Sequence, residues 1–103
     1  MKAIILAGVA SLLATAVHAT SFNCRYAKAA DEVLICQDAQ LSALDERMSS
    51  LYFNLRNSLS GYRRAALEDS QSRWLHGRMS CGRDRDCVYD SYVRRIRFLQ
   101  DYE

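Results

Sequence analysis

The chain has 103 residues, with 14 lysines and arginines against 12 aspartates and glutamates, and a formal net charge of +2. One domain fits that length. The near balance of charge, with no block of one sign, excludes a surface built to track a phosphate backbone.

Proline is absent and glycine occurs 4 times. No flexible linker, repeat or low-complexity tract interrupts the chain. Strong helix formers dominate and alternating β-branched runs are missing, so the sequence reads as all-α.

Lys2 opens the chain, and residues 3–17 form an apolar run. That run has the length of a signal-peptide core and falls short of the roughly 20 apolar residues of a membrane span. Val17-His18-Ala19 puts small residues at the two positions a signal peptidase reads. Cleavage after Ala19 is expected, giving a signal peptide at 1–19 and a helical domain at 20–103. Polar Thr20, Ser21 and Asn23 follow with no basic stop-transfer cluster, which argues against a retained anchor. Lipidation of Cys24 would need small residues directly before it, and Phe22 and Asn23 stand there instead. The expected location is periplasmic or secreted.

The first helix is expected over residues 29–36, with Val33, Leu34 and Cys36 inward. Asp38 is placed to cap a second helix over 39–59. Its apolar stripe is Leu41, Leu44, Met48, Leu51 and Leu55, widened by Tyr52 and Leu59. Gly61 suits the left-handed conformation at a helix end. A third helix over 62–79 has a thinner stripe of Tyr62, Ala66, Ser70 and Trp74, with Leu67, Leu75 and Met79 beside it. Trp74 is expected as a core anchor, filling the space over Ala66 and Ser70. Asp84 or Asp86 caps the last helix, whose inner stripe is Tyr89, Tyr92, Ile96 and Leu99, flanked by Val88 and Val93. Short connections between long helices make antiparallel neighbours. The expected architecture is a three-helix antiparallel bundle with the short first helix across one end.

The four cysteines are Cys24, Cys36, Cys81 and Cys87. In a small exported protein an even number implies disulfides. Three pairings are open, and spacing does not choose among them, although local closure is the simplest. Four thiolates could also hold zinc. Neither pair has C-x-x-C spacing, and an oxidising compartment favours disulfides, so no metal is expected.

Candidate chemistry is sparse. His76 has no ligand partner in helical register. The acidic pairs Asp31/Glu32, Asp45/Glu46 and Glu68/Asp69 are adjacent residues, which diverge by about 100° on a helix and do not face one point. Asp84, Asp86 and Asp90 lack the glycine and distal glutamate of a calcium loop, and capping explains them better. Neither enzymatic activity nor a cofactor is expected. Asp45 stands apart because it flanks the apolar stripe, and Arg78 and Arg95 occupy comparable flanks of the next two helices. One carboxylate and one or two guanidiniums can share a partly buried ion-pair network there. Three separate surface charges fit the spacing equally well.

"SFNC", "ADEVLICQDAQLSALDERMSSLY", "SRWLHGRMSC" and "CVYDSYVRRI" occur in this order. Ile35-Cys36, Asp38, Leu41, Leu44-Asp45, Met48, Tyr52, Trp74-Leu75, Arg78, Cys81, Cys87, Tyr92, Arg95 and Ile96 form an ordered set. That set resembles the lysozyme inhibitor LprI-like family of small exported bacterial proteins. The resemblance covers essentially the whole chain after the leader. It implies a helical domain with cysteines paired locally, Cys24 with Cys36 and Cys81 with Cys87, and it favours the Asp45–arginine network. It also implies a lysozyme-inhibiting role.

Two functions follow as expectations. The first is a binding protein that blocks the cleft of a lysozyme-type muramidase. Such clefts present two carboxylates, and Arg83 and Arg85 in the turn between Cys81 and Cys87 are candidates to reach them. The alternative is an envelope interaction, structural or immunity-like protein with another partner. Neither involves nucleic acid or a stable membrane anchor after signal cleavage.

Overall fold

A computed structural model describes residues 20–102. The expected signal peptide, residues 1–19, lies outside the described residues. Four α-helices follow a short 3-10 turn at Cys24–Tyr26: α1 (Ala30–Gln37), α2 (Ala39–Ser58), α3 (Gly61–Met79) and α4 (Arg85–Gln100). The described residues contain no strand.

Local chemistry sets the boundaries. Asp38 ends α1 and caps α2, its carboxylate accepting from Leu41 N at 3.0 Å. Gly61 at the α2–α3 corner has φ 58° and Gly82 in the α3–α4 turn has φ 60°, a region that an L side chain rarely enters. Between the two candidate caps of the last helix the structure selects Asp84, whose side chain accepts from Cys87 N at 3.1 Å.

α3 runs antiparallel to α2 and to α4, which are parallel to each other, and α1 packs on α2 and α3. α1 sits at the end of the bundle where α2 begins and α3 finishes. The core is Ile35, Leu41, Met48, Tyr52, Leu59, Leu67, Val88, Tyr92, Ile96 and Leu99. Fully burying such a side chain contributes on the order of 1.5–3 kcal/mol. Both disulfides are local: Cys24–Cys36 with Cα atoms 5.9 Å apart, and Cys81–Cys87 with Cα atoms 5.6 Å apart. A cross-link closing a loop of about 15 residues stabilises by roughly 3 kcal/mol, mostly by restricting the unfolded chain.

Two helix faces differ from the expected ones. In α1 the fully buried residues are Asp31 and Ile35, while Val33, Leu34 and Cys36 are half-buried. In α3 the inward face runs through Leu67, Gln71, Trp74 and Arg78. Tyr62 is 85% exposed, Met79 is 50% exposed, and Ala66 faces solvent. The cause is common to both. A buried charged residue, Asp31 or Arg78, sets the inward direction, and a count of apolar positions passes over it.

Candidate functional site

Arg78, in the last turn of α3, is the centre of the polar interior. Its side chain is 4% exposed. Nε donates to Asp31 Oδ2 at 2.7 Å, and Nη1 donates to the Tyr92 hydroxyl at 3.0 Å. That hydroxyl in turn donates to Asp45 Oδ1 at 2.7 Å. Arg78 Nη1 stands 3.8 Å from the same Asp45 oxygen. Phe22, Trp74 and Tyr92 surround the guanidinium, with ring centroids 5.5, 5.6 and 5.8 Å from its central carbon. Such faces attract a cation through the ring quadrupole.

Burial opposes the charge on Arg78. The Tyr92 oxygen and the Asp31 and Asp45 carboxylates outweigh it, so the pKa lies above the usual arginine value. Burial pushes the Tyr92 phenol well above 10, and the neighbouring Asp45 carboxylate adds to the rise. Asp31 Oδ1 is buried without a hydrogen-bond partner among the described residues. Leaving such an atom unpaired is costly, and the charge-assisted bond at its other oxygen offsets part of that cost.

The bent N-terminal segment before the 3-10 turn joins this network. Ser21 N and Oγ donate to the two Asp45 oxygens at 2.5 and 3.0 Å. Arg78 and Asp45 thus gather the N-terminal segment, α1, α2 and α4 around the end of α3. Nothing in the cluster resembles a nucleophile with its base. Asp31, Asp45, Arg78 and Tyr92 are buried and bond to one another or to Ser21, with Asp31 Oδ1 the exception.

Arg95, expected beside Asp45, is bonded elsewhere. Its Nε donates to Gln71 Oε1 at 3.0 Å and its Nη2 to Ser70 Oγ at 2.9 Å. Trp74 is half-buried. It stands edge-on to Tyr92 at 5.3 Å, and its Nε1 donates to the Ser91 carbonyl at 3.1 Å. It therefore links α3 to α4 through a polar handle as well as through packing. Asp31, Ser21 and the Tyr92 hydroxyl are the network members that sequence reasoning missed. The Asp31/Ile35 spacing, one helical turn with Ile35 apolar, was the available signal for Asp31.

Arg83 and Arg85 separate in the structure. Arg85 is the first residue of α4. It donates to Asp38 from Nε at 2.6 Å and to Gln40 Oε1 from Nη2 at 2.5 Å. The Arg85 guanidinium holds the Asp38 carboxylate below its ordinary pKa, and the Leu41 amide adds to the effect. Arg83 is exposed in the disulfide-closed turn. It borders a hollow of about 260 Å³ over Val33 and Leu34 of α1. Among the described residues no cluster of three or more His, Cys, Asp or Glu side chains could hold a metal ion.

The region from the first cysteine to the last core leucine, residues 24–99, matches the family described as "Lysozyme inhibitor LprI". The chain belongs to the LprI family. Among curated relatives, proteins named "Lipoprotein LprI" from Mycobacterium bovis and from two strains of Mycobacterium tuberculosis are each 37% identical over 79 residues. The alignment covers 74% of this chain and 39% of each relative, so the chain spans about two-fifths of the length of the LprI proteins it matches. No solved structure matches. Among the described residues no helix is long and apolar enough to cross a membrane.

Proposed function

We propose that the protein is an exported binding protein that inhibits a lysozyme-type muramidase by occupying its cleft, with no chemistry of its own. The proposal includes removal of residues 1–19 and release of the 20–103 domain into the periplasm or the medium. The observation that carries it is the family match over residues 24–99. That stretch holds both disulfides and the four helices almost to the end of α4.

The geometry supports Arg83 as the inserting group. It stands exposed on the turn closed by Cys81–Cys87, whereas Arg85 beside it is engaged with Asp38 and Gln40. A rigid turn loses little freedom on binding, and a guanidinium suits a cleft with two carboxylates. The test is inhibition of purified lysozymes of different classes by the oxidised protein. Inhibition of at least one class, weakened about tenfold or more by Arg83→Glu, is the expected outcome, as for a central interface arginine. No inhibition of any class sinks the proposal. Inhibition indifferent to Arg83→Glu moves the contact to another surface.

A second reading, an envelope interaction or immunity-like protein with a different partner, draws on the charge. The chain carries a formal net charge of +2, which does not steer a cationic lysozyme toward it.

A further inference from the structure

α2 and α4 form the most extensive helix pair of the bundle, and α3 covers one side of it. On that side Trp74 meets Ser91, Gln71 meets Arg95 and Met48 meets Gln71. At about 100° per residue, Tyr89, Val93 and Ile96 fall on the flank of α4 opposite to Ser91 and Arg95. Leu44 and Arg47 fall on the matching flank of α2, away from Tyr52. The structure brings these two flanks together around a hollow of about 300 Å³.

Leu44, Tyr89 and Val93 form its floor and are half-buried, and Ile96 closes it from below. Arg47 and Arg97 stand exposed at its rim, and among the described residues no carboxylate lines it. An apolar floor between two neighbouring helices is the seat a third helix takes, as α3 does on the other side. Two rim arginines without a lining acid select the charge of the occupant.

We infer that the α2–α4 groove, with its Leu44–Tyr89–Val93–Ile96 floor and its Arg47 and Arg97 rim, docks an amphipathic helix of a partner protein whose apolar stripe is flanked by carboxylates. The docked helix lies along the groove in the position that mirrors α3. Its apolar side chains enter between Leu44 and Val93, and its glutamates or aspartates pair with Arg47 and Arg97. This is helix-in-groove recognition. It is separate from the Arg83 turn and stands or falls independently of lysozyme inhibition.

The test uses the oxidised protein and two synthetic peptides of about 18 residues, capped at both ends. Both have leucines at i, i+3, i+4 and i+7; one has glutamates on the flanks and the other has lysines. The expected result is that the glutamate peptide shifts the amide resonances of Leu44, Tyr89, Val93 and Ile96. Arg47→Glu and Arg97→Glu should each weaken binding about tenfold, and added salt should weaken it further. Arg25→Glu, at an exposed arginine in the 3-10 turn, should leave the affinity unchanged. Both rim arginines are exposed, and unchanged melting of their variants confirms that folding is intact. Equal binding of the lysine peptide, or shifts confined to another face, overturns the inference. So does a groove that ignores the glutamate peptide but takes dodecanoate or phosphatidylglycerol vesicles, because the occupant is then an acyl chain or a lipid surface.

Discussion

The seam between α3 and α4 buries two guanidiniums at different levels, and the molecule treats them differently. Arg78 is 3% exposed and Arg95 is 6% exposed, so burial alone does not separate them. Arg78 is compensated by Asp31, by Asp45 and by the Tyr92 hydroxyl. Arg95 bonds to a neutral amide and a neutral hydroxyl, with its central carbon 4.7 Å from the Phe98 ring centroid and 6.0 Å from that of Trp74. The pKa directions record the difference. Burial pulls Arg95 below the usual arginine value, whereas the neighbours of Arg78 hold it above despite burial.

Reach differs as well. Arg95 ties α4 to α3. Arg78 ties α3 to α1 through Asp31, to α4 through Tyr92, to α2 near Asp45 and to the N-terminal segment through Phe22. A buried charge can therefore be settled locally by neutral partners, but a junction of several segments recruits opposite charge.

The largest effect that tests this contrast is Arg78→Met against Arg95→Met. Removing Arg78 strands buried carboxylates, and breaking a buried pair in this way costs about 3–5 kcal/mol. Removing Arg95 leaves only Gln71 and Ser70, which are partly exposed and can turn to water, so about 1 kcal/mol is expected. Urea unfolding of both variants measures the difference. Equal losses would show that the carboxylates at Arg78 add nothing to what neutral partners supply. Arg78→Lys should not rescue the protein, because an ammonium cannot reproduce a guanidinium fork that serves Asp31 and Tyr92 together.

A double-mutant cycle sharpens the comparison at the next scale. Asp45→Ala combined with Arg78→Met should show a coupling of about 0.5–3 kcal/mol, since the two share Tyr92 and stand within 3.8 Å. Asp45→Ala combined with Arg95→Met should be additive within about 0.5 kcal/mol. Additivity in both cycles would leave Asp45 as a partner of Ser21 and Tyr92 and of neither arginine.

The sequence carries much of this architecture and only part of the junction. Helix number, boundaries and antiparallel order follow from apolar spacing, from Asp38 and from Gly61. Asp45 and Arg78 stand out because each flanks an apolar position. Arg95 stands out for the same reason, yet the rotation of α4 turns it to Gln71. Spacing reports distance from the core, not which partner the facing helix offers. Asp31 reads as a first-turn acid, and Ser21 lies outside any periodic segment. Their roles arise from tertiary contacts made 47 and 24 residues along the chain. The stripe of α3 is misplaced because few large apolar residues mark it and its most buried end is an arginine.

A further test concerns Tyr92, the hydroxyl that only the Arg78 side of the seam uses. Tyr92→Phe removes a bond accepted from Arg78 and one donated to Asp45, and should cost about 1–2 kcal/mol at neutral pH. The alkaline limb then reports on the phenol itself. Burial, and after it the Asp45 charge, raise its pKa well above 10 in the folded protein. In the unfolded chain a tyrosine releases its proton near the ordinary value of about 10. Below that pH both states keep the proton and the contribution to stability is complete. As pH rises past about 10 the unfolded state loses the proton and the native state does not, so stability falls by up to about 1.4 kcal/mol per pH unit for this one group. Tyr52 contributes in the same direction, because burial and then the Glu68 charge raise its pKa too. Urea midpoints between pH 9 and 11.5 should therefore fall more steeply for the unaltered protein than for Tyr92→Phe, so that the gap between them narrows as pH rises. Arg95→Met should keep the steep limb, since Arg95 does not touch Tyr92. Parallel limbs for the unaltered protein and Tyr92→Phe would mean that the phenol ionises as easily in the folded state as in water, and that the Arg78 junction is open to solvent.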